Sequence, residues 1–133
     1  MKLRILFFVH MIVMLILAAG LLLAPKTIIN LFGLTVGTTV SFNASMNLVA
    51  QLLGATLVVP GLLSWFAGTM QEVGARRSVA ITLLIFNIIG FGVSFFVGML
   101  PKVMAAGGWI LVGLFLLFAA GFAYFLFMRS SDI

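Results

Sequence analysis

The sequence predicts an all-α membrane protein: an antiparallel bundle of four transmembrane helices that run up, down, up and down within one domain, residues 1–133. Hydrophobic residues make up 65% of the chain and charged residues 7%, whereas soluble domains have about 45–50% and about 25%. The apolar residues fall into four runs, each long enough for the ~20-residue helix that crosses a bilayer. The four predicted spans cover residues 3–24, 44–70, 78–99 and 109–128.

The first span follows a short basic segment, which would also suit a signal peptide. Lys2 and Arg4 precede an apolar run of about 20 residues, longer than the 7–15 residues of a signal peptide. The run ends at Pro25 without a convincing cleavage site, so we expect it to remain as a span. Residues 25–43 then form the longest predicted loop, with an exposed turn predicted over 35–45.

The second and third spans carry rows of small residues, which let helices approach closely in lipid, where no hydrophobic drive brings them together. The second span has a seven-residue row at Asn47, Gly54, Gly61 and Gly68. The third has a four-residue row at Gly90, Ser94 and Gly98. These rows predict helix-packing seams, either inside the bundle or between copies of the chain.

Pro60 lies in the middle of the second span. Its nitrogen cannot donate to the carbonyl of Thr56, so we predict a kink there. Such a kink marks a binding cavity in some membrane proteins and only shapes the bundle in others, and the sequence favours the second interpretation. In the fourth span, Trp109 and Tyr124 lie near opposite ends, as residues anchored at the membrane interfaces do.

The basic residues predict the orientation. Five of the seven fall on the side shared by both termini and the second loop, namely Lys2, Arg4, Arg76, Arg77 and Arg129. Only Lys26 and Lys102 fall on the other side. The positive-inside rule then places both termini in the cytoplasm, and we predict a bacterial inner membrane. Because these charges lie at the ends of apolar runs, we expect them to meet lipid headgroups and not nucleic acid.

Among Asp, Glu, Lys, Arg and His residues, His10 is the one that lies well inside a predicted span, and such residues are functional candidates because they are costly to bury. Three hydroxyl groups lie at a similar depth in the other spans: Ser64, Thr82 and Tyr124. A neutral imidazole hydrogen-bonded to one of them is the interpretation we favour. Haem ligation would need a second histidine from a symmetric partner, and a lone histidine does not make a metal site. We therefore predict no cofactor and no metal.

A second polar group is predicted near the external side. Asn47 and Gln51 are four residues apart and share a helix face; Ser94 lies at their depth and Asn87 lies closer to the midplane. Together they predict either a polar cleft open to the outside or a set of interhelical hydrogen bonds. The sequence favours the hydrogen bonds.

Several residue types that carry chemistry are absent from the sequence. No Asp or Glu lies in a span, which argues against transport coupled to protons or sodium, and the chain has no cysteine. No nucleophile–base pair or phosphate loop is present. We therefore expect a protein that is not an enzyme.

The chain resembles a family of small, uncharacterised bacterial proteins with four transmembrane helices, loosely grouped with the DoxX-like proteins. Seven motifs carry the resemblance: Leu22-Leu23-Ala24-Pro25, Leu31-Phe32-Gly33-Leu34, Leu52-Leu53-Gly54-Ala55, Gly61-Leu62-Leu63-Ser64-Trp65, Ala75-Arg76-Arg77, Gly107-Gly108-Trp109 and Gly121-Phe122-Ala123-Tyr124-Phe125. Members often have arginine near the position of Gln51, and the glutamine here argues against an anionic ligand. The resemblance implies the fold and a bacterial origin but no activity.

Two main hypotheses of function follow. The leading one is a structural or accessory subunit that packs against itself, as a homo-oligomer, or against a larger membrane complex. The alternative is a protein that binds or conducts a neutral or apolar small molecule, such as a lipid, a quinone or an uncharged solute, near Pro60 and the external polar group. A weaker third hypothesis is a haem-bearing subunit with His10 as ligand.

Overall fold

The computed structural model of the protein describes residues 3–32, 43–100, 104 and 106–128. The described residues are all-helical, with five α-helices in chain order: α1 (Leu3–Leu23), α2 (Pro25–Leu31), α3 (Ala44–Thr69), α4 (Val73–Gly92) and α5 (Gly108–Ala123). Two of them continue in the wider π-helical form. The π-helical extension of α4 covers Val93–Met99, and that of α5 covers Tyr124–Met128.

Four helical segments are long and apolar enough to cross a membrane: Leu3–Leu23, Ala44–Thr69, Val73–Met99 and Gly108–Met128. The predicted all-helical fold with four long apolar helices is thus confirmed. The third segment begins five residues earlier than predicted, because helical backbone geometry does not require apolar side chains. α3 runs unbroken through Pro60, and the predicted kink stays a prediction.

The predicted loop after the first span begins with a short helix, which corrects the prediction for residues 25–31. α2 starts at Pro25, and proline suits a first helical position because its missing N–H would have no partner there. The exposed turn predicted over 35–45 lies largely outside the described residues. At its far end, Asn43 caps α3 by accepting a hydrogen bond from the backbone N–H of Met46 at 2.9 Å.

The longest helix contact lies between α1 and α3. A Cβ atom added at Gly54 would lie 2.9 Å from the Cβ of Leu21, and one added at Gly61 would lie 2.9 Å from Cδ2 of Leu15. At Gly54 nothing larger than hydrogen fits without a shift of α1, whereas at Gly61 the side chain of Leu15 would have to move. At Gly68 the contact is looser, with the Cβ of Phe7 3.8 Å away. The glycine row of α3 therefore faces α1 within the same chain.

The small residues of α4 and its π-helical extension face the last helix and the segment before it. A Cβ added at Gly90 would lie 2.6 Å from the ring of Phe115 in α5. Gly98 lies directly against the sulfur of Met104. α4 and α5 form the second large helix contact, while α3 and α4 touch each other far less.

Arg76 closes the turn between α3 and α4. Its guanidinium Nη2 donates a hydrogen bond to the carbonyl of Met70, the C-cap residue of α3, and the side chain is buried. A cation at the C-terminal end of a helix is favourable because the last carbonyls there carry partial negative charge. The first turn of α4 is thereby tied to the end of α3.

Candidate functional site

Three polar side chains from three helices meet in a fully buried polar cluster: His10 of α1, Ser64 of α3 and Asn87 of α4. None of the three exposes any surface. The Nδ1 atom of His10 lies 2.7 Å from the Oγ atom of Ser64. On the other side of the ring, the Nδ2 atom of Asn87 lies 3.2 Å from Nε2 of His10.

The direction of each hydrogen bond in the polar cluster follows from the donors available. Ser64 donates its one hydroxyl proton to the carbonyl of Pro60 at 2.8 Å, so its oxygen accepts the Nδ1–H of His10. Asn87 has two amide protons; one goes to the carbonyl of Leu83 at 2.7 Å and the other to Nε2 of His10. The imidazole is therefore neutral, with its proton on Nδ1. Both ring nitrogens are engaged, which leaves none free for a haem iron.

Aromatic rings enclose the polar cluster. The rings of Phe118 and Phe122, both from α5, lie edge-on to the imidazole with centroids 4.7 Å and 5.4 Å away. The Oδ1 atom of Asn87 is buried and has no partner among the described residues. Such an enclosed arrangement fixes the contact of four helices and offers no surface on which a substrate could sit.

The five polar residues singled out from the sequence do not form one cleft. Asn87 belongs to the polar cluster with His10. Gln51 donates from Nε2 to the carbonyl of Leu22 at 3.3 Å, which ties α3 to the end of α1. Asn47 is half-buried one turn earlier on α3. Of the five, only Ser94 contributes to the wall of a cavity.

An apolar cavity of about 740 Å³ opens between the helices. It lies where α1 ends and α3 begins, and all five helices and the π-helical extension of α4 contribute to its wall. Measured from the helix ends around the cavity, the lining reaches farthest along α1, α3, α4 and α5 at Leu17, Leu57, Phe86 and Phe115. Apart from apolar residues and Gly90 and Gly98, the wall contains three hydroxyl-bearing side chains, Ser45, Thr56 and Ser94.

The mouth of the cavity is the gap between α3 and α4. Exposed lining side chains stand on both sides of this gap. Leu53 (53% exposed) and Val49 (64%) lie on α3, Ile89 (59%) lies on α4, and Val97 (62%) lies on the π-helical extension of α4. α3 and α4 touch little along this gap. A molecule can therefore enter from the side of the protein, between two apolar helices.

No family model matches this chain, and no curated protein or solved structure matches it. Among the described residues, no group of three His, Cys, Asp or Glu side chains could hold a metal ion. An apolar cavity with a few polar groups in its wall has the usual composition of a small-molecule site.

Sequence reasoning found Ser94 but missed the cavity around it. The missed features are α2, whose Ile29 lines the cavity, and the π-helical extension, which carries Ser94 and Val97. No pattern in the sequence marks a π-helix, although such segments are frequent at functional sites. The sequence feature that points to this region is the row of small residues Gly90, Ser94 and Gly98, which predicts a close helix contact. In the structure, Gly90 lines the cavity beside the ring of Phe115.

Proposed function

We propose that this chain is a multi-pass membrane protein that binds a neutral, apolar small molecule in the cavity between α3 and α4, without converting it chemically. The observation that carries the proposal is the cavity itself. Its volume of about 740 Å³ falls within the ~300–1,000 Å³ of small-molecule sites, and its apolar wall with a few polar groups matches their usual composition.

The proposal includes a topology. The four long helices form an antiparallel up-down-up-down bundle in a bacterial inner membrane, with both termini in the cytoplasm. The distribution of basic residues supports this orientation. The cavity then lies in the outer half of the membrane, and its mouth faces the lipid. The resemblance to DoxX-like proteins is part of the proposal and agrees with this topology.

The alternative is the structural or accessory role. Its main support in the sequence was the abundance of small-residue rows, which suit contacts between copies of the chain. Ligand binding is favoured over the structural role because the glycines of these rows are packed within one chain: Gly54 and Gly61 lie against α1, and Gly90 lies against α5. Because these glycines already contact helices of the same chain, they offer no surface to a second copy.

The experiment that tests the proposal fills the mouth of the cavity. The double variant Leu53→Trp/Ile89→Trp places two indoles at lining positions. The matched control Leu52→Trp/Ile88→Trp makes the same changes one residue earlier, at exposed positions outside the cavity wall. Each protein is extracted in mild detergent and weighed by native mass spectrometry.

We expect the unaltered protein and the control variant to carry one apolar molecule each, and the mouth-filling variant to lose at least nine-tenths of it. The proposal fails if the unaltered protein carries no such molecule, or if both double variants retain it equally. A protein partner or a defined oligomer that only the mouth-filling variant loses would favour the structural role instead.

A further inference from the structure

The cavity has the length of one membrane leaflet. Along α3 its wall runs from Ser45 to Leu57, about 12 residues, which is ~18 Å at the rise of an α-helix. One leaflet contributes about half of the ~30 Å hydrocarbon core. A single extended hydrocarbon chain that enters from the outer surface would therefore reach the innermost lining at Leu17 and Phe86.

The hydroxyl group of Ser94 donates no hydrogen bond to a carbonyl of its own helix. Another hydroxyl of the cavity wall, that of Thr56 near the inner end, donates to the carbonyl of Leu53 at 2.7 Å. On α4, Thr82 likewise donates to the carbonyl of Ser78 at 3.1 Å. Ser94 forms no hydrogen bond with any other described residue. A hydroxyl without a partner in apolar surroundings is unfavourable, so a ligand that accepts its proton gains affinity.

The depth of Ser94 in the membrane indicates which part of a bound lipid its side chain contacts. Arg77, at the start of α4, belongs at the cytoplasmic headgroup level in the proposed topology. Ser94 follows it by about 17 residues, or ~25 Å along the helix. In a core of ~30 Å, that position lies a few ångströms below the outer surface. Ester carbonyls of glycerolipids lie at this level, directly above their acyl chains.

We propose that the ligand is a glycerolipid of the outer leaflet. One of its acyl chains enters sideways between α3 and α4 and fills the cavity, and the ester carbonyl oxygen of that chain accepts a hydrogen bond from the Oγ atom of Ser94. This inference rests on the proposed function and names its ligand class. The second chain and the headgroup of this lipid stay in the bilayer.

The test compares two lipids that differ only at the proposed contact. The purified protein is incubated with an equimolar mixture of diester phosphatidylethanolamine, which has no net charge, and its diether analogue with the same chain lengths, and the bound lipid is weighed by native mass spectrometry. We expect the unaltered protein to prefer the diester about fivefold, the effect of one hydrogen bond. Ser94→Ala removes this preference. Thr56→Val keeps it, because the Thr56 hydroxyl already donates to its own helix.

The outcomes separate this inference from the proposed function. Equal binding of the two lipids to the unaltered protein, or an undiminished preference in Ser94→Ala, overturns the Ser94 contact. A purified protein that retains a quinone or another isoprenoid, and no glycerolipid, overturns the ligand class and leaves the apolar binding site standing. If the protein binds no apolar molecule at all, both proposals fall.

Discussion

The carboxamide of Asn87 donates to the imidazole of His10 across 3.2 Å, although 77 positions of the chain separate the two residues. Both side chains are completely buried, and the rings of Phe118 and Phe122 enclose them. Unpaired polar groups are costly in such surroundings. The contact therefore fixes how α1 and α4 meet, while the bond from His10 to Ser64 fixes α1 against α3.

The first prediction concerns this contact. Asn87→Leu leaves Nε2 of His10 without a donor, and we expect the free energy of unfolding to fall by about 1–3 kcal/mol. The measurement is reversible unfolding in mixed micelles. Asn47→Leu is the matched control; since the side chain of Asn47 forms no hydrogen bond with a described residue, we expect a change below about 0.5 kcal/mol.

A double-mutant cycle then isolates the pair. Combining Asn87→Leu with His10→Leu removes both partners, and we expect a coupling free energy of about 0.6–2 kcal/mol, the range of hydrogen bonds between membrane helices. Effects of the two single changes that simply add would contradict a direct interaction.

The second prediction concerns the tautomer of His10. Because it is the only histidine in the chain, selective ¹⁵N labelling gives the signals of this ring alone. We expect Nδ1 to carry the proton and Nε2 to have the chemical shift of an unprotonated nitrogen. In Ser64→Ala the acceptor for Nδ1–H is lost, so a mixture of tautomers should appear. A ring protonated on Nε2 in the unaltered protein would contradict the hydrogen-bond directions assigned to the polar cluster.

The third prediction compares two glycines of one row. In Gly54→Ala the new Cβ lies 2.9 Å from the Cβ of Leu21 and 3.0 Å from the backbone oxygen of Ala18, so α1 must move. We expect a loss of about 1–3 kcal/mol in unfolding free energy. In Gly68→Ala the nearest atom outside its own helix lies 3.8 Å away, an ordinary contact. Gly68→Ala should therefore be neutral or slightly stabilising. Equal losses at both positions would contradict the described packing of α3 on α1.

The fourth prediction tests the proposed topology. The chain has no cysteine, so single cysteines give unambiguous labels. Thr27 of α2 and Glu72, just before α4, are both exposed and lie near opposite membrane surfaces in the proposed topology. A membrane-impermeant maleimide should label Thr27→Cys in intact bacterial cells and Glu72→Cys only after lysis. The reverse pattern would invert the orientation, and labelling of both in intact cells would contradict the bundle topology.

Sequence reasoning reached part of the polar cluster. Counting residues from the membrane surface reduced the candidate partners of His10 to Ser64, Thr82 and Tyr124, and the structure pairs His10 with Ser64. The same counting grouped Asn87 with the external polar residues, whereas its side chain points to His10. Depth follows from the number of residues along a helix, but the direction in which a side chain points depends on how the helix is rotated about its axis.

The sequence by itself determined the number and lengths of the apolar helices, since a helix that crosses ~30 Å of hydrocarbon needs a minimum number of apolar residues. Only the tertiary structure decided which faces meet. On a helix that is apolar all round, side chains that face lipid and side chains that face a neighbouring helix are equally hydrophobic, so the periodicity of hydropathy does not separate a buried face from an exposed one. The glycine row of α3 predicts a contact face but not the helix that it contacts. The gap between α3 and α4, the cavity behind it and the position of Ser94 in its wall therefore emerge only when the helices are packed together.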